Sequence, residues 1–491
     1  MATAQVGVRP PVIYLHCELP RQSPATAMTD HASATSHAAI ASAPAGLDGA
    51  AATHAPPPQT TGYDVPHLAT ALTGPLLSLE RHILAAQPKI EAWIRSQWRE
   101  TPPPFYASVD LRNSGYKVAP VDTNLFPAGF NNLDPSLYSL SIQALQTAIS
   151  RTCPDAVGIL LIPESHTRNQ FYLESIATLA ELIAKAGFEV RIGSLIEDQQ
   201  APLTLLLPSK RHVELIPVTR TGKRIRVGEF SPCAVLLNND LLSGRPAVLE
   251  DLEQAIVPPL DLGWAQRLKS EHFGYFSAVA REFANLVDLD SWLIDPVFRN
   301  CGAINFKTRD GEDCLAANVE ETLTAIRKKY RDYHIDDEPF VVIKADAGTY
   351  GMGIMTARSA NDVRALNRKQ RNKMSSTKGG ADVHHVIIQE GVYTSETWGS
   401  PPAVAEPVVY MIDQFVVGGF YRVHTQRGKR ENLNAPGMHF QPLAFHTPCN
   451  NPDPSIDPDA CPNRFYLYGV IARLALIAAA REVAALGPST S

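Results

Sequence analysis

Apolar residues recur at helical spacing through LLSLERHILAAQPKIEAWIRSQW (76–98), which predicts an amphipathic helical segment soon after Tyr63, where the composition turns globular. The run FYASVDLR then predicts a short strand followed by a polar, glycine-containing loop. Farther on, AVGILLIPESHTRN is a buried strand ending in a polar cluster, YLESIATLAELIAKAG an amphipathic helix closed by Gly187, and FEVRIGSL a second strand. Strand, helix and strand at this spacing imply a parallel crossover unit, and α/β domains place ligands at the ends of such strands. AVLLNNDLLSG precedes a mostly helical stretch from Leu249 to Val287, after which FVVIKA, GIMTA, VHHVIIQEG, EPVVYMIDQFVVGG and FYRVHT predict an α+β region. In the last pair the reading places a turn at Gly418 and Gly419. No internal repeat is visible. The most apolar helix, Phe465 to Leu486, contains Arg473, Arg481 and Glu482, which favour a buried or amphipathic helix over a membrane span.

Ahead of all this, Ser23 to Thr61 is dominated by Ala, Ser, Thr, His and Pro, too few bulky apolar residues to bury, and is expected to be disordered, with Met28 as a second candidate start. The pattern therefore divides the chain into a disordered tail (1–62), an N-terminal α/β domain (63–230) and an α+β domain (231–491). The full length of 491 residues leaves room for two or three domains and a large core. A net charge of -6 excludes a general nucleic-acid binder but not a local basic pocket for a phosphorylated ligand. Seven scattered cysteines, odd in number and without a CxxC pair, argue against a closed disulfide framework and for a reducing, cytoplasmic setting. Cys449 and Cys461 flank NNPDPSIDPDA, which reads as an exposed proline-rich connector more readily than as a metal loop. The first residues lack the basic start and apolar run of a secretory signal.

The strongest chemical signal is PFVVIKADAGTYGMGIMTAR (339–358). Val341, Val342 and Ile343 form a buried strand, Lys344 emerges at its end, and Gly348, Gly351 and Gly353 let the backbone bend close to an anion. A loop of this kind can turn its amides toward phosphate oxygens while the lysine supplies a fixed charge. No Gly-Lys-Ser/Thr closes it, so it is not a Walker A loop; Ile354, Met355 and Thr356 continue as a strand, so it is not a dinucleotide fingerprint. A second concentration of polar residues, Asp110, Arg112, Asn113, Lys117, Asp122, Asn124, Asn131 and Asn132 in SVDLRNSGYKVAPVDTNLFPAGFNNL, reads as a loop-rich surface for a zwitterion.

Several of these segments carry a resemblance. HVIIQEGV, ending in Glu390 and Gly391, resembles the hinge strand of ATP-grasp enzymes, whose backbone reads adenine while a nearby acid holds ribose. VVYMIDQFVVGGFYRVHTQRGKRENLNAPGM resembles the element in which a strand arginine, here Arg422, contacts the transferring phosphate and an asparagine follows, here Asn432. Lys269 in RLKSEHF opens a helix as the first ATP lysine does in bacterial glutathione synthetases. With SVDLRNSGYKVAP, IPESHTRNQ, LLNNDLLSG and IKADAGTYGMGIM, the chain from Tyr63 to Leu486 is similar to the bacterial ATP-grasp-like glutamate-cysteine ligases.

The resemblance implies an N-terminal α/β domain of the kind that precedes an ATP-grasp, then an ATP-grasp-like domain, with ATP and Mg²⁺ as cofactors and L-glutamate and L-cysteine as substrates. Lys344, Arg422 and Lys269 would be catalytic. Lys269, Lys344, Gly348, Gly351, Gly353, Glu390 and Arg422 would bind nucleotide, and Arg112, Asn113, Lys117, Glu164, His166 and Arg168 would contact the amino acids. One departure stands out. ATP-grasp ligases usually end with a strand bearing an acid and then Glu-x-Asn, which hold magnesium, whereas here the sequence reads GPSTS directly after the last helix. The expected metal ligands are therefore Glu431, Asn432 and Asn434 of ENLN, with Asp413 a weaker candidate. Two rivals remain open: another ATP-grasp amino-acid ligase, such as a glutathione synthetase, and a noncatalytic nucleotide sensor on a ligase scaffold. Assembly into a homo-oligomer is also open.

Overall fold

The structure is a computed structural model that describes residues 67–68, 75–165, 168–348, 353–375, 382–441, 452–453, 455–456 and 461–487. The tail 1–62, Met28, His166, Gly351 and most of the connector after Cys449 lie outside the described residues.

Strand β1 (His67–Leu68) is followed by helices α1 (Pro75–Ala85) and α2 (Gln87–Glu100), then by strands β2 (Tyr106–Asn113) and β3 (Val118–Asn124) and helix α3 (Tyr138–Thr152). The predicted crossover unit follows as β4 (Gly158–Pro163), α4 (Gln170–Lys185) and β5 (Glu189–Ser194), with β4 and β5 parallel. Asn169 caps α4 by accepting the Tyr172 amide at 3.2 Å, and Gly187 ends it at φ 96°, a conformation that glycine adopts without strain. Next come β6 (Leu203–Leu206), β7 (His212–Pro217), β8 (Thr219–Thr221), β9 (Arg224–Arg226), β10 (Ala234–Asn238) and β11 (Ala255–Val257). The remainder is α5 (Lys269–Val287), β12 (Phe298–Cys301), α6 (Glu312–Asp332), β13 (Val341–Ala345), β14 (Ile354–Ala357), α7 (Ala360–Arg364), α8 (Arg368–Met374) and β15 (Val386–Glu390). After these come β16 (Glu396–Trp398), β17 (Ala403–Ile412), β18 (Phe415–His424), β19 (Met438–Gln441) and α9 (Cys461–Ala485).

Three larger sheets result. The first has the order β11-β10-β4-β5-β7-β6 and is parallel except for β6. Its central strand β4 is buried on both faces: Ile159 and Leu161 join one apolar cluster with α3 and α4, while Leu160 and Ile162 join the other. The second, β12-β15-β13-β14, is antiparallel and backed by α6. The third runs β1-β16-β17-β18-β19, with β2 also paired to β17 and β3 to β2.

The division at residue 230 does not coincide with the sheets. β10 and β11, beyond it, complete the parallel sheet, and the β2–β3 hairpin, before it, joins the sheet of β17 and β18. The segment read as a loop-rich polar surface is this hairpin, turned at Ser114-Gly115 with Gly115 at φ 85°. The glycine pair Gly418-Gly419 is likewise inside β18; the chain reverses at Asp413-Gln414, where Asp413 takes φ 52° and accepts the Gln414 amide at 2.6 Å. The cysteine reading also needs correction, because Cys153 and Cys233 form a disulfide across 80 residues of sequence. Their spacing is silent; the end of α3 and the start of β10 become neighbours only through the fold.

Helix α9 is buried at consecutive positions from Phe465 to Ala480, as an all-round apolar helix must be. It packs on α5, α1 and the β2–β3 hairpin, and its charges are matched by Arg473–Glu91, Arg481–Glu282 and Glu482–Arg267. No helix among the described residues is long and apolar enough to cross a membrane.

Candidate active site

Lys344 leaves the end of β13 with Nζ donating to the Val121 carbonyl at 2.8 Å and to Gln389 Oε1 at 2.7 Å. Burial pushes its ammonium down to about 8, with Asp122 opposing, so it still carries charge at neutral pH. Just past it, Asp346 caps the start of α5, accepting from the Ser270 amide at 2.8 Å and hydroxyl at 2.6 Å. That cap locks the helix N-terminus to the glycine loop. It also sets Lys269, whose Nζ reaches the Gly348 carbonyl at 2.5 Å and lies 4.4 Å from the Trp264 ring. Gly348 (φ 90°) and Gly353 (φ 64°) take left-handed conformations, as the loop reading required.

The opposite wall is a ladder of charges across three strands. Arg422 of β18 donates to Glu406 of β17 at 2.6 Å and to Asp110 of β2 at 2.9 Å. Arg112 of β2 reaches the other oxygen of Glu406 at 3.2 Å and the Glu431 carbonyl at 2.6 Å. Burial alone would lower the Arg422 pKa, but Asp110 and Glu406 hold it above its ordinary value, so the guanidinium stays charged. Between the two walls lies an open cleft of about 980 Å³, solvent at its mouth included, lined by Lys269, Lys344, Gly348, Arg112, Arg422 and Asn432 among others.

Other expected site residues fall elsewhere or are already committed. Lys117 is fully buried, with Nζ on Glu390 at 2.7 Å and 4.4 Å from the Trp292 ring; it is a core ion pair and not an amino-acid ligand. Glu390 borders the cleft, yet its carboxylate is taken by Lys117, the Val297 amide and Trp292 Nε1, and β12 and β13 use the β15 backbone on both sides. A ribose role for this acid is thereby displaced. Asn113 is buried against the Tyr468 hydroxyl at 2.8 Å. Glu164 and exposed Arg168 follow β4 and do not line the cleft. Glu431 is held by Arg427 and the Gly428 amide and faces a neighbouring hollow; Asn432 and Asn434 do line the cleft, and Asn432 Oδ1 accepts the Asn434 amide at 2.9 Å. Asp413 is paired with Arg151, outside the cleft.

Sequence reasoning missed Glu406, Gln389 and Asp346, and it gave Asp110 and Asp122 only a place in the polar surface for a zwitterion. The alternation of Asp110 with Arg112 and of Asp122 with Asn124 was a usable signal, since a period of two places each pair on one strand face. Reading the stretch after FYASVDLR as a loop hid the second of these pairs.

A family model described as glutamate-cysteine ligase matches residues 80–483. The chain belongs to the glutamate-cysteine ligase family. A solved structure from Methylobacillus flagellatus KT, assigned provisionally as a gamma-glutamylcysteine synthetase, is 58% identical, with a TM-score of 0.81 over 86% of this chain and 99% of that one. A D-alanyl-alanine synthetase A from Vibrio cholerae aligns over 58% of this chain and 73% of its own at 9% identity and a TM-score of 0.26, too distant to carry an argument. No curated protein matches. As expected of this ligase family, the architecture is mixed α/β and α+β; Lys269, Lys344 and Gly348 line the same cleft as Arg422.

Proposed function

We propose that this ligase joins the γ-carboxylate of L-glutamate to the amine of L-cysteine through an acyl phosphate, with ATP as phosphoryl donor. The observation that carries the reading is the convergence on one cleft of three cations from distant segments, Lys269, Lys344 and Arg422, beside a glycine loop. Their chemistry follows from charge. A glutamate carboxylate oxygen attacks the γ-phosphorus and ADP departs; the amine then adds to the acyl carbon, phosphate leaves, and the nitrogen loses a proton. Lys269 and Lys344 offset charge on the phosphates, and Arg422 that on the transferring group, so catalysis rests on positioning and electrostatics without an enzyme nucleophile. Arg112, fixed by Glu406 and two carbonyls, would present its remaining edge to a substrate carboxylate.

Magnesium bound with the nucleotide would offset negative charge on the phosphates. The cleft suits such a hard cation, since Asp110, Asp122 and Glu406 line it, and no three-acid cage exists among the described residues. Mg²⁺ is commonly held by one or two carboxylates together with substrate phosphates.

The test is release of ADP and phosphate with glutamate and cysteine, each alone and together. Turnover that needs this pair supports the reading. A different amino-acid requirement indicates another ligase, and absence of turnover indicates a nucleotide sensor.

A further inference from the structure

The β2–β3 hairpin places two carboxylates directly opposite each other: Asp110 pairs in register with Asp122, and both line the cleft beside Lys344 and Arg422. Like charges opposed across antiparallel strands, with side-chain roots about 5 Å apart, are destabilising unless something positive lies between or beside them. Arg422 serves Asp110 in that way. Asp122 has no cation within ion-pair distance among the described residues and keeps only the Thr123 amide, at 3.1 Å on Oδ1.

The remaining acids of the cleft are committed. Both oxygens of Glu406 are held by arginines, and the Glu390 carboxylate is held by Lys117, Val297 and Trp292. Asn124, two residues beyond Asp122, spends its amide oxygen on the Phe126 amide and on Trp264 Nε1. An independent sign of a ligand comes from the other wall. Gln389 is 1% exposed and lines the same cleft; its Oε1 is fixed as acceptor by Lys344, and its Nε2 donor has no partner among the described residues. A buried donor left unpaired is costly, so an acceptor-rich ligand such as a phosphate is expected there.

We propose that Asp110 and Asp122 are the protein ligands of the divalent cation that enters with the nucleotide, so that the metal-bearing strands lie near the N-terminus in sequence and not after the last helix. This rests on the ligase reading and deepens it. The fold makes the relocation possible, because β2 is hydrogen-bonded to β17, the partner of the strand carrying Arg422, wherever the hairpin falls in the chain. Two carboxylates with phosphate oxygens make a sufficient oxygen set for Mg²⁺. Of the Glu431, Asn432 and Asn434 assignment, Glu431 is set aside, because it is tied to its own loop and lines the neighbouring hollow, while Asn432 and Asn434 remain in the cleft wall.

The test uses Mn²⁺ as a spectroscopic probe with the full chain and the β,γ-imido analogue of ATP. Bound Mn²⁺ is measured by electron paramagnetic resonance, and analogue binding is measured separately in the presence of a chelator. Asp122→Asn and Asp110→Asn are expected to weaken Mn²⁺ binding in the ternary mixture by about tenfold or more, while Glu431→Gln binds as wild type. Wild-type Mn²⁺ affinity in both aspartate variants, or loss in Glu431→Gln alone, overturns the assignment. Failure of the wild-type protein to bind the analogue at all, with or without Mn²⁺, overturns the ligase reading and this inference with it. Should Asp110→Asn fail to fold through loss of the Arg422 pair, Asp122→Asn decides, because among the described residues its side chain's only hydrogen bond is to a neighbouring amide.

Discussion

Lys344 and Lys117 are both read from the sequence as site residues, but the structure places them in opposite settings. Lys344 borders the cleft with its charge retained, whereas Lys117 is sealed against Glu390 and Trp292. Lys344→Met, which roughly conserves length and apolar volume, should leave the fold intact and cut kcat by about a hundredfold or more. Coupled assay of ADP and γ-glutamylcysteine release checks this, and wild-type rates would remove the phosphate role. Lys117→Met should behave in the opposite manner. It strands the Glu390 carboxylate in the core, so stability should fall by about 3 to 5 kcal/mol in urea denaturation. The KM values of whatever folded enzyme remains should be close to those of wild type, and a selective rise in one amino-acid KM would restore the substrate role that the sequence suggested.

At the scale of elements, α9 shows how a helix with few charges can be buried on all sides. Arg473, Arg481 and Glu482 meet Glu91, Glu282 and Arg267 contributed by other helices or by the segment leading into α5. Burial would raise the Glu482 carboxyl, but Arg267 and His272 hold it down to about 2. Because the folded pKa lies below the ordinary value of 4.5, this stabilisation is complete above about 4.5 and fades as pH falls toward 2. It amounts to about 3 kcal/mol. Thermal melts between pH 6 and 3 should therefore show a steep acid-side loss, and Glu482→Gln should be less stable at pH 6 with a shallower dependence. An unchanged acid slope in that variant would assign the loss to other carboxylates. Among the elements themselves, the crossover β4–α4–β5, the β13–β14 pair and the start of α5 at Lys269 follow from local pattern. Strand β2 was legible too, in the run FYASVDLR, but β3 and the Asp413 turn were not, because their polar residues and the Gly418-Gly419 pair mimic loop chemistry while the pairing that makes them strands comes from β2 and β17.

For the whole molecule, the expectation carried by composition concerns the first 61 residues. Ser23–Thr61 has too few apolar groups to dock on a core, so deleting residues 1–61 should leave the melting temperature and turnover nearly unchanged. Loss of most activity with the fold retained would show that the tail serves the site. Within the globular part, the sequence by itself determined the periodicities of the main helices and strands and the glycine loop with Lys344, because these depend on neighbours a few residues away, while Lys269 and Arg422 were legible only through the family resemblance. Tertiary structure alone decided which charges face the cleft and which are spent in the core. Asp110, Glu406 and Arg422 form one ladder only because β2, β17 and β18 are adjacent, and Glu390 loses its expected role only because Lys117, 273 residues earlier, reaches it. Such assignments depend on desolvation and pairing across strands far apart in the chain, quantities that no local window contains.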